Sequence, residues 1–296
     1  MNKDINFVLL EMTWLRYFMP LVIEANKRGI RPRIFVGESR KYNCPQKFKD
    51  VLRDIASNHE VDILDVRTAK EYDGLFFLVE GKGRNYLKEE HVKIVLTYMV
   101  CFENPDRGVP AYKQEVDHIV FPSKFIAEYY GFKQDKKFLH LGCPKYDVAM
   151  NPETILGKYG LPANKRKVLI LAPRSRDLHK IDLDKMYKIF RKNGYDVVVK
   201  TRGKDRLPSK LMGDYYFEDV SWYPHTSMEL MKVSDVIVNF SSTAVKEAVL
   251  LRRPVINFQI KPHSLDMLFG FMYDHQYCEK FETDFTLDGS GQYTTN

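Results

Sequence analysis

The chain has 296 residues, and its shortages narrow what it can be. It has four cysteines (Cys44, Cys101, Cys143 and Cys278) with no Cys-x-x-Cys pair, which speaks against a disulfide framework or a zinc site and fits a reducing, cytoplasmic setting. No apolar run approaches the roughly 20 residues of a membrane span, and Met1-Asn2-Lys3-Asp4 leads into a short strand rather than a signal peptide. Its eight histidines include no i, i+4 pair of the kind that binds metal on a helix. Gly81-Lys82-Gly83 lacks the spacing and the Lys-Ser/Thr ending of a phosphate-binding Walker loop. Low-complexity segments and internal repeats are also missing. What remains is a globular composition, 44% hydrophobic and 29% charged, with a formal net charge of +7. That excess points to an anionic partner, for which a nucleotide, an anionic lipid surface and nucleic acid all qualify.

Short apolar runs alternate with helical patterns along the whole length. Strands are predicted at Asn6 to Leu10, Arg33 to Val36, Val61 to Leu64, Leu75 to Val79, Val92 to Leu96, His118 to Phe121 and Phe138 to Leu141. After Pro152 the rhythm restarts, with Val168 to Leu171, Asp196 to Lys200, Tyr215 to Phe217, Val236 to Val238 and Val255 to Phe258. Leu15 to Arg28 carries apolar residues at helical spacing, but Pro20 predicts a regular helix only from about Met19, with Glu11 to Phe18 as a structured loop. Strand–helix alternation implies parallel sheets. The expected fold is α/β, with two Rossmann-like domains facing each other across a cleft. The domains run over 1–148 and 149–275, and a C-terminal segment with a flexible tail runs over 276–296. Ligands of open parallel sheets sit outside the carboxyl ends of the strands.

Ser234 to Ala248 is the most informative stretch. Val236 to Val238 reads as a buried parallel strand, and Ser241-Ser242-Thr243 follow as small hydroxyl residues that cap a helix. A helix start of this kind is a ready anion site. Glu247, one turn in, is spaced to accept from the hydroxyls of a ribose.

Several pieces then resemble the CDP-glycerol glycerophosphotransferase group. They are Asp117 to Ser123, Leu141-Gly142-Cys143-Pro144-Lys145-Tyr146-Asp147, Leu161 to Lys165, Val168 to Asp177, and Asp219 to Tyr223 leading into Leu230 to Asp235 and the Ser-Ser turn. Glu247-Ala248 and Arg253-Pro254-Val255-Ile256 resemble the donor domain of GT-B glycosyltransferases in general. The likeness covers roughly residues 115–260 and implies a GT-B fold. Two of the group's motifs differ here. Thr97-Tyr98-Met99-Val100 stands where the group has Trp-His-Gly, and Thr201-Arg202 stands where it has His-Pro. Those departures favour a nucleotide-activated sugar over an activated polyol phosphate as donor.

The resemblance implies donor contacts from Ser241, Ser242 and Thr243 to the diphosphate and from Glu247 to the ribose. Arg174 and Arg176 after one donor-domain strand, and Lys200 and Arg202 at the end of the next, would neutralise the leaving diphosphate. His225 and His263, on donor-domain loops, are candidates for contact with a nucleotide base. GT-B enzymes generally need neither metal nor cofactor. Inverting transfer needs a base, and the candidates are Glu11 and Glu80, each at the end of a first-domain strand. Trp14, Lys82 and Arg84 are candidate acceptor contacts, with Arg40-Lys41 as further phosphate holders. The expected activity is metal-independent transfer of a sugar from a nucleotide-sugar to an acceptor hydroxyl. The acceptor would be anionic, either a hydroxylated base of DNA or a cell-surface polymer precursor met through peripheral membrane contact. A nucleotide-sugar epimerase or hydrolase, and a non-catalytic nucleotide-sugar binder, are the alternatives.

Overall fold

A computed structural model describes residues 4–37, 45–97, 109–122, 124, 127, 135–201, 206–219, 221–240, 242, 244–258 and 278–281. The chain divides into two compact units, Met1–Val148 and Ala149–Asn296.

In the first unit seven strands form one wholly parallel sheet. They are β1 (Ile5–Leu9), β2 (Arg33–Val36), β3 (Asp62–Asp65), β4 (Leu75–Val79), β5 (Val92–Leu96), β6 (His118–Phe121) and β7 (Phe138–His140). Their order across the sheet is β3-β2-β1-β4-β5-β6-β7, so the winding reverses between β1 and β4. Helices α1 (Leu15–Lys27), α2 (Pro45–Asn58) and α3 (Val109–Tyr112) belong to this unit. Successive strand residues serve opposite faces of the sheet. Val8, Phe35, Phe76, Leu78 and Val95 join one buried cluster. Phe7 lies 5.0 Å from Phe18 of α1, ring centre to ring centre.

Helix α1 starts at Leu15, four residues before the predicted point, and carries Pro20 in its interior. An interior proline costs about 3 kcal/mol through its missing N–H and its clash with the preceding turn. Leu15, Tyr17, Phe18, Met19 and Val22 are all buried, and each such side chain contributes roughly 1.5–3 kcal/mol. The buried face therefore outweighs the proline.

The second unit repeats the plan with β8 (Arg166–Leu171), β9 (Tyr195–Lys200), β10 (Tyr215–Phe217), β11 (Val236–Phe240), β12 (Val255–Phe258) and β13 (Cys278–Phe281). The order is β10-β9-β8-β11-β12-β13, all parallel, with the reversal between β8 and β11. Its helices are α4 (Pro152–Tyr159), α5 (Leu183–Lys192), α6 (Thr226–Lys232) and α7 (Val245–Leu250). Leu169, Leu171, Val198 and Ile237 pack with Ile155, Tyr159, Leu230, Met231 and Val245 on one face. Val168, Ile170, Val197, Val199 and Val238 pack with Leu183, Met186 and Tyr187 on the other. Both faces are covered, which is why these strands read as unbroken apolar runs. Strand β13 lies in the C-terminal segment, where no strand is predicted, and pairs with β12 from Val255↔Cys278 to Phe258↔Phe281. The stretch Asp288–Gln292, read as flexible tail, lies outside the described residues.

Candidate functional site

Each sheet reverses its winding once, and the loops leaving the strands on either side of that reversal define a candidate site in each unit.

In the first unit those strands are β1 and β4, and the two candidate bases leave their carboxyl ends. Glu11 begins a 3-10 turn over Met12–Trp14. Its carboxylate Oε1 lies 3.3 Å from the ammonium of Lys82. That ammonium also stands 5.7 Å above the centre of the Trp14 ring, and Trp14 is buried. Trp14 therefore packs beneath Lys82. Glu80 follows β4 directly, is 8% exposed, and donates its backbone N–H to Leu96 at 3.0 Å. Arg84 is committed to Glu115 at 2.7 Å and donates to the carbonyl of Gly81 at 3.2 Å.

The Glu80–Arg84 segment reads as a flexible cationic loop in the sequence but is closely packed. A Cβ on Gly81 would meet the Tyr112 ring at 2.5 Å, and one on Gly83 would meet Val8 at 2.6 Å. Both glycines also have positive φ, 65° and 90°, so close approach and backbone shape each demand glycine. Arg40 and Lys41 lie outside the described residues.

In the second unit the flanking strands are β8 and β11. Arg174 is exposed three residues past the end of β8, where its carbonyl accepts from Asp177 at 2.8 Å. Arg176 lies in the same 3-10 turn, Ser175–Lys180, and its side chain is outside the described residues. Beyond β11 the turn backbone is fastened by an asparagine of the strand itself. Asn239, fully buried, donates from Nδ2 to the carbonyl of Ser242 at 3.0 Å and to Asn257 Oδ1 at 2.7 Å. The capping expectation needs correction. The residue before α7 is Ala244, and no side chain caps that helix. The Ser242 hydroxyl accepts the Ala244 N–H at 3.4 Å, so it serves the turn one residue short of the helix. Ser241 and Thr243 lie outside the described residues. Glu247 lies in the first turn of α7, where its spacing set it, and is 9% exposed.

Lys200 ends β9 and is buried, with its ammonium 2.5 Å from Asp219. Asp219 also faces Nε2 of His225 at 3.5 Å, while His225 Nδ1 accepts the Ser227 N–H at 3.4 Å at the start of α6. The sequence reading missed Asp219 and the Asn239–Asn257 pair. The pair had a visible signal, because Val-Ile-Val-Asn-Phe and Val-Ile-Asn-Phe each set one asparagine at the same place in an apolar run. Arg202 and His263 lie outside the described residues. The single Asp-x-Asp spacing, Asp182-Leu183-Asp184, is a helix start. Asp182 accepts the Lys185 N–H at 2.9 Å and Asp184 pairs with Lys188 at 2.6 Å. Among the described residues no group of three or more His, Cys, Asp or Glu is placed to hold a metal ion. Nor is any described helix long and apolar enough to cross a membrane.

No known family profile matches the chain, and no curated protein matches it in sequence. Solved structures do. The wall teichoic acid polymerase TagF superposes with a TM-score of 0.61 at 19% identity, over 86% of this chain and 69% of TagF. A Listeria monocytogenes protein assigned as a UDP-N-acetylglucosamine 2-epimerase gives 0.63 at 13% identity, over 88% of this chain and 80% of that one. S. aureus MnaA in complex with UDP gives 0.56 at 13%, over 87% and 79%. At these identities the likeness is one of fold, and the fold is that of GT-B enzymes.

Proposed function

We propose that the protein is a glycosyltransferase that moves a sugar from a nucleotide-sugar to an acceptor hydroxyl. What supports the reading most is the rim of the second sheet. Arg174 leaves β8, Ser242 sits in a turn fastened by Asn239, and the buried carboxylate of Glu247 follows within one helical turn. A cation and backbone donors suit a diphosphate, and a buried carboxylate suits the paired hydroxyls of a ribose. Ser241, Thr243, Arg176 and Arg202 complete the donor contacts in this reading. Lys200 is held by Asp219 and acts as a fixed positive charge. Glu11 or Glu80 is the candidate for the carboxylate that takes the acceptor proton in this reading. As attack proceeds, the bond from the sugar carbon to the diphosphate oxygen breaks and its electron pair leaves with the nucleoside diphosphate. Arg174 stabilises that charge without a metal.

The acceptor is an anionic molecule, with a cell-surface polymer precursor and a hydroxylated DNA base as the two forms to assay. Binding to DNA would weaken steeply with added salt, whereas salt-independent binding or none removes DNA from consideration. The same donor contacts serve an epimerase, and two of the structures of like fold favour keeping that second reading: the one assigned as an epimerase, and MnaA with its UDP.

A thermal-shift panel of UDP, CDP, UDP-N-acetylglucosamine and CDP-glycerol tests the proposal. A ligand at 100 times its dissociation constant stabilises by about 2.7 kcal/mol. A shift confined to one nucleotide family names the donor, and no shift with any overturns the reading. Product analysis then separates the activities, since transfer yields a conjugate and epimerisation an isomeric nucleotide-sugar.

A further inference from the structure

Helix α6 is capped by a histidine. His225 stands just before it, and its Nδ1 accepts the Ser227 N–H at 3.4 Å. Asparagine, aspartate and serine are the residues preferred for this task, so capping alone does not call for an imidazole. The ring brings a second nitrogen. With Nδ1 accepting, the proton of the neutral ring lies on Nε2. That nitrogen faces Asp219 Oδ1 at 3.5 Å, the same oxygen that lies 2.5 Å from the Lys200 ammonium.

The topology brings the three together within the second unit. Strand β10 runs parallel beside β9 with Phe217 opposite Lys200, so the chain leaving β10 passes the end of β9, and Asp219 arrives two residues later. The loop then doubles back on itself. The Ser221 N–H donates to Thr226 Oγ1 at 2.9 Å, the Thr226 N–H donates to the Ser221 carbonyl at 3.3 Å, and the Ser221 hydroxyl donates to the Pro224 carbonyl at 2.6 Å. These bonds close the loop around His225 and fix where its ring stands. The side chains of Lys200, Asp219 and His225 are 7%, 16% and 14% exposed, so water competes little for their contacts. A lysine stem is long and flexible, and an anion fixes its ammonium only as well as the anion is itself fixed.

Resting on the nucleotide-donor reading of the second unit, we propose that His225 is a positioning residue. Through Nε2 it holds Asp219, and through Asp219 it sets the Lys200 ammonium for the donor diphosphate, in place of touching the nucleobase. Nδ1 meanwhile caps α6. The two nitrogens have separate tasks, one for affinity and one for stability.

Substitution can part those tasks. Asparagine offers an oxygen where Nδ1 stands and nothing where Nε2 stands, whereas the glutamine amide reaches the place of Nε2 and gives up the cap. The test compares His225→Asn, His225→Gln and His225→Ala in the full chain. Melting temperature is read together with affinity, by calorimetry, for UDP and CDP and for uridine and cytidine. His225→Asn should melt at the parent temperature yet bind the diphosphate roughly three- to tenfold more weakly, with nucleoside affinity unchanged. His225→Gln should melt about 2–4 °C lower and recover most of the diphosphate affinity that His225→Ala loses. A purely structural histidine would not give these opposite orders of stability and affinity.

Parent affinity for the diphosphate in His225→Asn overturns the proposal. So does an equal loss for the nucleoside, which would give His225 a contact with the base. Should His225→Ala fail to fold, the Asn and Gln variants decide alone, since each keeps one of the two tasks, and glutamine must then bind the diphosphate more tightly than asparagine. These failures occur in a protein whose parent binds nucleotide, so they spare the donor reading. A parent that binds neither UDP nor CDP defeats that reading, and the role of His225 with it.

Discussion

The two units share one strand order around their reversals, yet they place opposite chemistry there. In the first unit β1 and β4 end in carboxylates, Glu11 and Glu80, with Lys82 and Arg84 close by in ion pairs. In the second, β8 leads to Arg174, and β11 ends in a turn fastened by one buried asparagine. The fold decides where a ligand can sit, because all strand ends of a parallel sheet point the same way. The residues immediately past those ends decide what it can be. Acid groups backed by lysine suit a group that must give up a proton. Cations, backbone donors and a buried ribose-type acceptor suit a nucleotide.

The largest effect should come from removing Asp219, the half-buried counter-ion of the buried Lys200. Taking away one partner of a buried pair costs roughly 3 kcal/mol. Asp219→Ala should therefore lower the denaturation midpoint and weaken nucleotide binding together. Urea unfolding with calorimetry on the same sample checks this, and unchanged stability would mean that Lys200 does not depend on Asp219. Glu247→Ala comes next. Loss of hydrogen bonds to a charged acceptor corresponds to about 1.5–3 kcal/mol, a drop of roughly 10- to 100-fold in UDP or CDP affinity. Glu11→Gln should leave that affinity unaltered. If both substitutions weakened it equally, the division of labour between the two strand ends would be lost.

The strands were legible where both faces of a sheet are covered. Leu75–Val79, Val92–Leu96 and Val255–Phe258, inside their sheets, match their sequence reading residue for residue, as does the half-buried edge strand Tyr215–Phe217, whose aromatic residues favour a strand by themselves. Cys278–Phe281 was illegible. Its Cys-Glu-Lys-Phe carries no apolar run, and it is a strand by virtue of its pairing with β12. The start of α1 was misread because a local rule about proline met a buried face it could not see. The strand-end residues were findable from topology, whereas their partners were not. Glu11 and Lys82 lie 71 residues apart, and no pattern within one element joins them. The bond from Asn239 to Asn257 likewise forms only once β11 and β12 are in register.

Acid should weaken the first unit through His91. It is buried and stacked on Phe76 at 4.7 Å, and burial lowers its pKa below the ordinary imidazole value of about 6.5. The unfolded chain therefore binds this proton more readily than the folded one does. Stability is full above about pH 6.5 and falls as the pH drops below it, by up to about 1.4 kcal/mol per pH unit until the folded pKa is passed. Denaturation at pH 7.5 and pH 5.5 should show the loss, and His91→Phe, which keeps the stacked ring, should reduce it. Equal acid sensitivity in both proteins would assign the effect to other groups.

The smallest effect is expected at Lys82. Its pair with Glu11 spans 3.3 Å, but the lysine side chain is 48% exposed, and ion pairs so open to water contribute at most about 1 kcal/mol. Lys82→Met keeps most of the stem over Trp14 and removes the charge 5.7 Å from the indole centre. Urea unfolding should shift by less than 1 kcal/mol, while Trp14 fluorescence changes as the cation leaves its face. Held by Gly81 against Tyr112 and Gly83 against Val8, the turn should keep its shape without the ion pair. A loss above about 2 kcal/mol would instead make the Lys82–Glu11 pair the clamp of this strand end. The first unit would then resemble the second, where breaking the Lys200–Asp219 pair is expected to cost roughly 3 kcal/mol.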